Sequence, residues 1–343
     1  MDIGILFSFR NPGFNRVPWA RTYANELALA AEAEALGYDH VWLSEHHFVD
    51  DGYSPSLLPI AAAVAARTER IRIGTYVMLL PFHNPVRLAE DVATVDAIAD
   101  GRFDLGVGLG YRPGEFTGMG IPSSERAARF QEALPFVQRL LAGETVSIEG
   151  RFHRFREVRI TPQPVQRPVP IWVGARGDRA LERAARLGCH LASVGAPGHR
   201  EKYLAALASA GRNAADHHVG QLAVVYVAPT AAQAWRECGR AVQHVIQQYQ
   251  AWAAESGDES GDALATMAVP AVAEFEAGRV AEVMGRPAMI GDPEQVRQRL
   301  REFCVLTPAT HLVLMMALPG VVPEHTRASM ALFAREVLPH LRG

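Results

Sequence analysis

Residues 71–109 read IRIGTYVMLLPFHNPVRLAEDVATVDAIADGRFDLGVGL, and their pattern is that of one strand–helix–strand unit. The run Ile71 to Leu80 is rich in Ile, Val and Leu and predicts a strand. Asn84-Pro85 then joins a capping residue to a proline at the first helical position. Val86, Ala89, Val92 and Val95 fall on one face of the helix that follows, and Asp100-Gly101 ends it. Phe103 to Leu109 is the next strand. Neither strand alternates strictly between apolar and polar residues, as expected where both faces of a parallel sheet are covered.

The same grammar extends in both directions. Upstream, a strand at Ile3 to Phe9 leads to a helix from about Trp19 to Leu36, closed by Gly37. A strand at His40 to Ser44 is followed by Ser54-Pro55, which opens a helix running to about Arg67. Downstream, Ser124 caps a helix bearing Phe130, Leu134, Val137 and Leu141. Val146 to Ile148 and Phe152 to Phe155 flank Glu149-Gly150 as a small hairpin. Strands then fall at Val169 to Val173, His190 to Val194, Gln221 to Ala228 and His311 to Ala317. Helices lie at Gly177 to Leu187, near Glu201 to Ala210, after Pro293 and over Pro323 to Leu341. Eight such alternations predict an α/β fold, a (β/α)8 TIM barrel with a long insertion between strands 7 and 8. A bare barrel takes roughly 250 residues, so 343 allow one domain over 1–343 with generous loops. The insertion spans 230–290 and is mostly helical. Its Glu, Ser, Gly and Asp content from Glu255 to Gly261 predicts a mobile lid.

Composition narrows the class. The chain is 49% hydrophobic, with 34 basic and 37 acidic residues, which favours neither nucleic acid nor an anionic membrane as partner. The N-terminal apolar run lacks a preceding Lys or Arg and reads as a strand, not a signal peptide. The longest apolar run, Leu312 to Leu318, is far short of the roughly 20 residues a membrane helix needs. Cys189, Cys238 and Cys304 are widely spaced, without CxxC, which argues against a disulfide framework or a zinc ribbon. A cytoplasmic protein is expected.

In such a barrel the polar residues at the C-terminal strand ends are the catalytic candidates. The densest cluster, Ser44-Glu45-His46-His47-Phe48, follows the second strand, and a histidine there could move protons near neutral pH. His46 and His47 are neighbours on an extended chain and point to opposite sides, so they do not grip one ion. The chain has no His-x-His, and no metal is expected. Gly106, Gly108 and Gly110 alternate at the end of the fourth strand. They either let a flat ring approach the backbone or relieve packing at a crowded rim. Gly174-Ala175-Arg176-Gly177-Asp178 leads into a helix and is the best candidate for a phosphate, or else an ordinary glycine-rich turn.

These elements, in this order, resemble the bacterial luciferase-like family of flavin and deazaflavin oxidoreductases. The most specific stretch is Glu45-His46-His47-Phe48. Ile73-Gly74-Thr75 to Pro81, Asn84-Pro85-Val86-Arg87, Ala89-Glu90-Asp91, Asp100-Gly101-Arg102-Phe103 and Ser329-Met330-Ala331-Leu332-Phe333 to Pro339 add to it. The resemblance implies reduced FMN lying across the strand ends, with His46 as the catalytic histidine. It implies a non-prolyl cis peptide at Tyr76–Val77 that bulges against the ring, helped by Glu45. Gly108, Leu109, Gly110 and Tyr111 would flank the ring and ribityl chain. Gly174, Ala175, Arg176, Gly177 and Asp178 would meet the phosphate. Leu109 stands where luciferase has a phosphate-binding arginine, which leaves that task to Arg176 or to backbone amides. The implied activity is a two-component monooxygenase using dioxygen on a small organic substrate, fed by a separate NAD(P)H:flavin reductase. A deazaflavin (coenzyme F-420) hydride-transfer enzyme and a non-catalytic flavin-binding protein are the alternatives. The resemblance also implies a homodimer, with the helices after strands two and three as candidate interface. Phe9, Arg10, Asn11, Phe48, Tyr53 and His83 are candidates to line the mouth.

Overall fold

The computed structural model describes residues 1–256, 265–283 and 285–342. Eight strands run parallel and close on themselves: β1 (Asp2–Phe7), β2 (His40–Leu43), β3 (Arg72–Thr75), β4 (Phe103–Gly108), β5 (Ile171–Gly174), β6 (His190–Ser193), β7 (Val219–Val227) and β8 (His311–Met315). β8 pairs back onto β1 with Asp2 opposite His311, and β6 pairs β7, so no edge is left open. Between the strands lie α1 (Trp19–Ala35), α2 (Leu57–Ala65), α3 (Pro85–Ile98), α4 (Pro113–Gly118), α5 (Arg126–Leu141), α6 (Asp178–Arg186), α7 (His199–Ser209), α8 (Ala231–Ser256), α9 (Val272–Glu276), α10 (Pro293–Leu306) and, after β8, α11 (Pro323–Glu336). The expected (β/α)8 barrel is therefore the fold.

Strand pleating divides the buried residues into two sets. Ile3, Ile5 and Phe7, Val41 and Leu43, Leu105 and Val107, and Leu312 and Leu314 join the helices in the outer core. Leu6, Trp42, Tyr76, Trp172, Ala192, Val313 and Met315 form a second cluster that fills the barrel. Its centre is Trp42, edge-on to Trp172 at 5.4 Å and to Tyr76 at 5.5 Å. Two indoles in one barrel need small neighbours, and a Cβ at Gly74 would run into the ring of Trp42.

Three local differences from the sequence reading have plain causes. The long third strand breaks at a cis Tyr76–Val77 peptide and resumes at Met78–Leu79 against β4, where the resemblance places that bond. Helix α2 starts at Leu57, not at Ser54-Pro55, because the Ser54 hydroxyl donates to the carbonyls of Ser8 and Ser44. And α4 was not anticipated. By contrast, Asn84 caps α3 as expected, its side chain accepting from Val86 N and Arg87 N, and the hairpin pairs Val146–Glu149 with Arg154–Val158.

The insertion is built on α8, whose apolar face carries Ala234, Trp235, Cys238, Val242, Val245, Ile246 and Trp252. Val225 to Val227, the end of β7, pair with Met289–Gly291, which anchors the returning chain. Of the expected lid loop, Glu255 and Ser256 belong to α8, and 257–261 lie outside the described residues. No helix among the described residues is long and apolar enough to cross a membrane.

Candidate active site

β2 delivers Ser44-Glu45-His46-His47 to the C-terminal mouth, where all four are buried. His46 Nδ1 lies 2.8 Å from Glu115 Oε1. That carboxylate comes from α4, which starts with Pro113 at its first position and places Glu115 in its first turn. The same oxygen accepts from the backbone N–H of His47 at 2.9 Å and from Arg112 Nη1 at 3.4 Å. Its donors hold Glu115 below the usual carboxylate range, so it is ionised and can only accept; His46 Nδ1 then carries the proton and Nε2 keeps its lone pair. Burial holds the His46 pKa below the usual histidine value; the hydrogen bond and charge of Glu115 offset part of this, and Arg112 and Arg10 add to it. Burial pushes Glu115 up, but its bonds to His46 and to His47 N–H, with Arg112, outweigh that and leave it below the usual range. A neutral imidazole held in one tautomer by a carboxylate can take a proton at Nε2 and return it.

The second histidine makes a separate contact. His47 Nε2 lies 2.9 Å from Glu45 Oε1, which also accepts from Leu79 N at 3.2 Å. Glu45 thus ties β2 to the chain just beyond the cis peptide. Its other oxygen, Oε2, is buried without a partner among the described residues.

Helix α8 roofs this cluster. Trp252 sits over His46 at 4.3 Å between ring centroids, with Tyr53 at 4.7 Å, Tyr111 at 5.8 Å and Tyr249 at 6.2 Å around it. Arg112 lies over the Trp252 ring, 4.6 Å from its centroid. A hydroxyl chain runs from Ser44 Oγ to Tyr53 OH at 2.9 Å and on to Tyr249 OH at 3.1 Å. A polar latch lies beside it: Arg10 donates to Asp51 Oδ2 at 2.7 Å and to Gln248 Oε1 at 2.6 Å, and His244 Nε2 is 2.8 Å from the same aspartate oxygen. Burial would raise Asp51, yet His244 and Arg10 hold it below the usual carboxylate range. Glu255 fastens the far end of α8, accepting from Gly114 N at 2.7 Å.

The glycine run of β4 serves its neighbour strand. A Cβ at Gly106 would overlap the carbonyl oxygen of Thr75, and one at Gly108 would meet Val77 Cγ2 at 2.6 Å. These glycines make room for the Tyr76–Val77 bulge, so the packing reading of the motif accounts for them. Tyr76 reaches across the barrel and donates to Ser193 O at 2.6 Å. Gly110, at φ 75°, turns the chain toward α4 against Phe116. Leu109, just past the end of β4, is partly buried and packs against the outer core. Among the candidate lining residues, Arg10 and Tyr53 are in the site. Phe9 packs on Tyr23 in the outer core, Asn11 holds Val17, and Phe48 is exposed.

Gly174 to Asp178 joins β5 to α6, with Gly177 at the helix cap. Asp178 turns outward to Lys202 at 2.7 Å. Two residues not singled out from the sequence complete this rim. His199 of α7 bonds Ser193 Oγ at 3.0 Å and the backbone of Arg176. Arg286 brings its guanidinium against Gly195, just past β6, where a Cβ would collide with it; Nη1 is buried with no partner among the described residues. Burial lowers its pKa from the usual arginine value. Arg286 lies in the insertion, far in sequence from the ends of the barrel strands, so no local signal marks it. Glu115 did leave a signal, the Pro113-Gly114-Glu115 helix start.

A family model for luciferase-like monooxygenases matches residues 1–311. The chain is similar to the F420-dependent glucose-6-phosphate dehydrogenase of Beutenbergia cavernae, 40% identical over 172 residues, 47% of this chain and 50% of that protein. It is similar also to the oxygenase component of the flavin-dependent trigonelline monooxygenase of Acinetobacter baylyi, 31% identical over 172 residues, 49% of this chain and 48% of that protein. The chain thus spans about half the length of the curated relatives it matches. Over its whole length it superposes on the crystal structure of the monooxygenase RslO1 from Streptomyces bottropensis with a TM-score of 0.81 and 29% identity, covering 99% of this chain and 100% of that one. With the barrel, the buried mouth and the family match in agreement, the chain belongs to the luciferase-like monooxygenase family.

Proposed function

We propose that this chain is the oxygenase half of a two-component monooxygenase. It would take reduced FMN from a separate NAD(P)H:flavin reductase and insert one oxygen atom of dioxygen into a small organic substrate, the other leaving as water. The observation that carries this reading is the His46–Glu115 pair, a proton-transfer couple buried at the strand ends under the aromatic face of α8.

The residues present fit a flavin. Glu45 Oε2 is a buried carboxylate oxygen without a partner, suited to a ring N–H. Arg286 Nη1 is a buried cationic donor without a partner, suited to a phosphate. Glu45, the Tyr76–Val77 bulge and Tyr111 would hold the ring. Gly174, Ala175, Arg176 and Gly177, with His199 and Arg286, would hold the phosphate. Arg286 and Arg176 then do the work of the arginine replaced by Leu109. When bound, reduced FMN supplies the electrons that activate dioxygen. The protein does the rest: His46 Nε2 accepts or returns a proton at the substrate, Glu115 keeps the imidazole in the required tautomer, and Trp252, Tyr249 and Tyr53 keep water from the reacting atoms. A cytoplasmic homodimer is part of the same reading.

The 40% identity to a deazaflavin-dependent dehydrogenase supports a second reading, hydride transfer without dioxygen. An anaerobic titration with FMN and the deazaflavin, each oxidised and reduced, separates the two. Selective binding of reduced FMN, with oxygen-dependent turnover, is expected. Preference for the deazaflavin overturns the cofactor assignment, and tight flavin binding without any turnover leaves the non-catalytic alternative.

A further inference from the structure

The other end of the barrel holds a second cluster that the proposed chemistry does not use. An ordinary (β/α)8 interior is filled by layers of branched aliphatic residues. Here the strand starts turn Asp2, His40, Arg72, Asp104, His190 and His311 toward one another, and His218 precedes β7. Buried polar groups at this density are costly unless each finds a partner.

We propose that this floor binds one divalent transition-metal ion, of the zinc or cobalt class, through Asp2, His40 and His311. One donor atom from each of the three lies within 4.8 Å of the other two. His311 Nε2 is 3.3 Å from Asp2 Oδ2. That is close to the roughly 3.3–3.4 Å edge of a tetrahedron whose ligands sit about 2.0–2.1 Å from a common ion. Each imidazole has its remaining nitrogen already held. His311 Nδ1 is 2.9 Å from Thr310 Oγ1. His40 Nε2 is 3.3 Å from Asp104 Oδ2, and Asp104 is gripped in turn by Arg72 at 2.9 and 3.0 Å. His40 Nδ1 is left buried with no partner among the described residues, and it is the nitrogen free for an ion. A ligand histidine oriented through its other nitrogen by a carboxylate or hydroxyl is the arrangement metal sites use.

Three further points fit. His40 stacks on Trp42 at 4.9 Å and 7°, which fixes its ring plane. The Asp2 side chain is 52% exposed, so an ion can enter without opening the barrel. His218, with its ring 4.9 Å from that of His311, or a water can supply the fourth ligand. Two imidazoles and one carboxylate select zinc, cobalt, nickel or copper over magnesium and calcium. The ligands come from β1, β2 and β8, three adjacent strands including the seam where the barrel closes. The ion would therefore fasten that seam, far from His46.

The test uses the full chain, freed of any affinity tag and stripped with a chelator. Cobalt(II) is titrated in and its visible absorption followed. One saturable equivalent is expected, displaced by zinc and not by magnesium. Affinity should fall roughly tenfold or more in His40→Gln and His311→Gln, and stay unchanged in His325→Gln, an exposed residue of α11. Asp2→Asn alters an exposed ligand without touching the core, so its weakened binding keeps the test valid if a histidine variant fails to fold. Absence of saturable binding to the folded wild type, or equal affinity in wild type and Asp2→Asn, overturns the proposal.

Discussion

The two ends of the barrel are built from the same pairings. At the mouth, His46 meets Glu115 and His47 meets Glu45; at the floor, His40 meets Asp104 and His311 meets Asp2. Position separates their roles. The mouth pairs sit beyond the strand ends, on the segment after β2 and on the short helix α4, beneath a helix from an insertion, with an unpartnered carboxylate oxygen at Glu45. The floor pairs sit on the strands themselves, where the barrel dictates their spacing. Loops on a rigid scaffold can be reshaped around a substrate, whereas strand starts hold the sheet together. A titratable cluster is thus informative about function only once its place on the scaffold is known.

The sharpest way to break this contrast is His46→Ala. Turnover should fall roughly 10²–10⁴-fold while reduced FMN still binds; unchanged turnover would remove His46 from the chemistry and erase the distinction.

The floor should answer through stability. Burial, then repulsion from His218 and His217, partly offset by Asp104, brings the His190 pKa from 6.5 to about 4. Its folded pKa lies below its unfolded one, so the unfolded chain binds the extra proton first. Above pH 6.5 His190 contributes nothing to the pH dependence; as pH falls from 6.5 toward 4 it costs stability, in total roughly 2–4 kcal/mol. Urea midpoints of metal-free protein at both ends of that window should show a steeper fall in wild type than in His190→Gln. Equal slopes would mean that the floor does not bear this load.

Glu115→Gln keeps the shape and removes the charge. Loss of its hydrogen bond as a carboxylate lets the His46 ring turn, and about 100-fold in kcat is the scale of a misplaced group. Since Glu115 raises the His46 pKa against burial, the acid limb of the rate–pH profile should move to lower pH. A lowered rate with an unmoved limb would make Glu115 structural alone. The smallest effect is expected at the rim. Arg286→Ala should weaken FMN roughly 10- to 100-fold, the scale of a charge-assisted hydrogen bond, and leave riboflavin, which lacks the phosphate, unchanged. Equal losses for both would place Arg286 elsewhere than the phosphate.

Much of this was legible in the chain. Strand and helix order follows from local period and capping: Asn84-Pro85 begins α3 because a side-chain acceptor and a fixed φ act within one turn. His46 could be named because it lies directly after a strand. Glu115 was missed because α4 is only six residues long and carries no apolar period. Arg286 was missed because its place beside Gly195 depends on how the insertion folds back along β7.

What the sequence alone determined is the eight-fold alternation of strands and helices, and with it which residues stand at a strand's start or end. These depend on interactions within a few residues. What only the tertiary structure decided is which of those residues meet: His46 with Glu115, 69 positions on; Glu45 with Leu79; Asp2 with His311 across the closing seam. Such contacts are set by barrel closure and by the stagger of the strands, which are properties of all eight strands together and of no single segment.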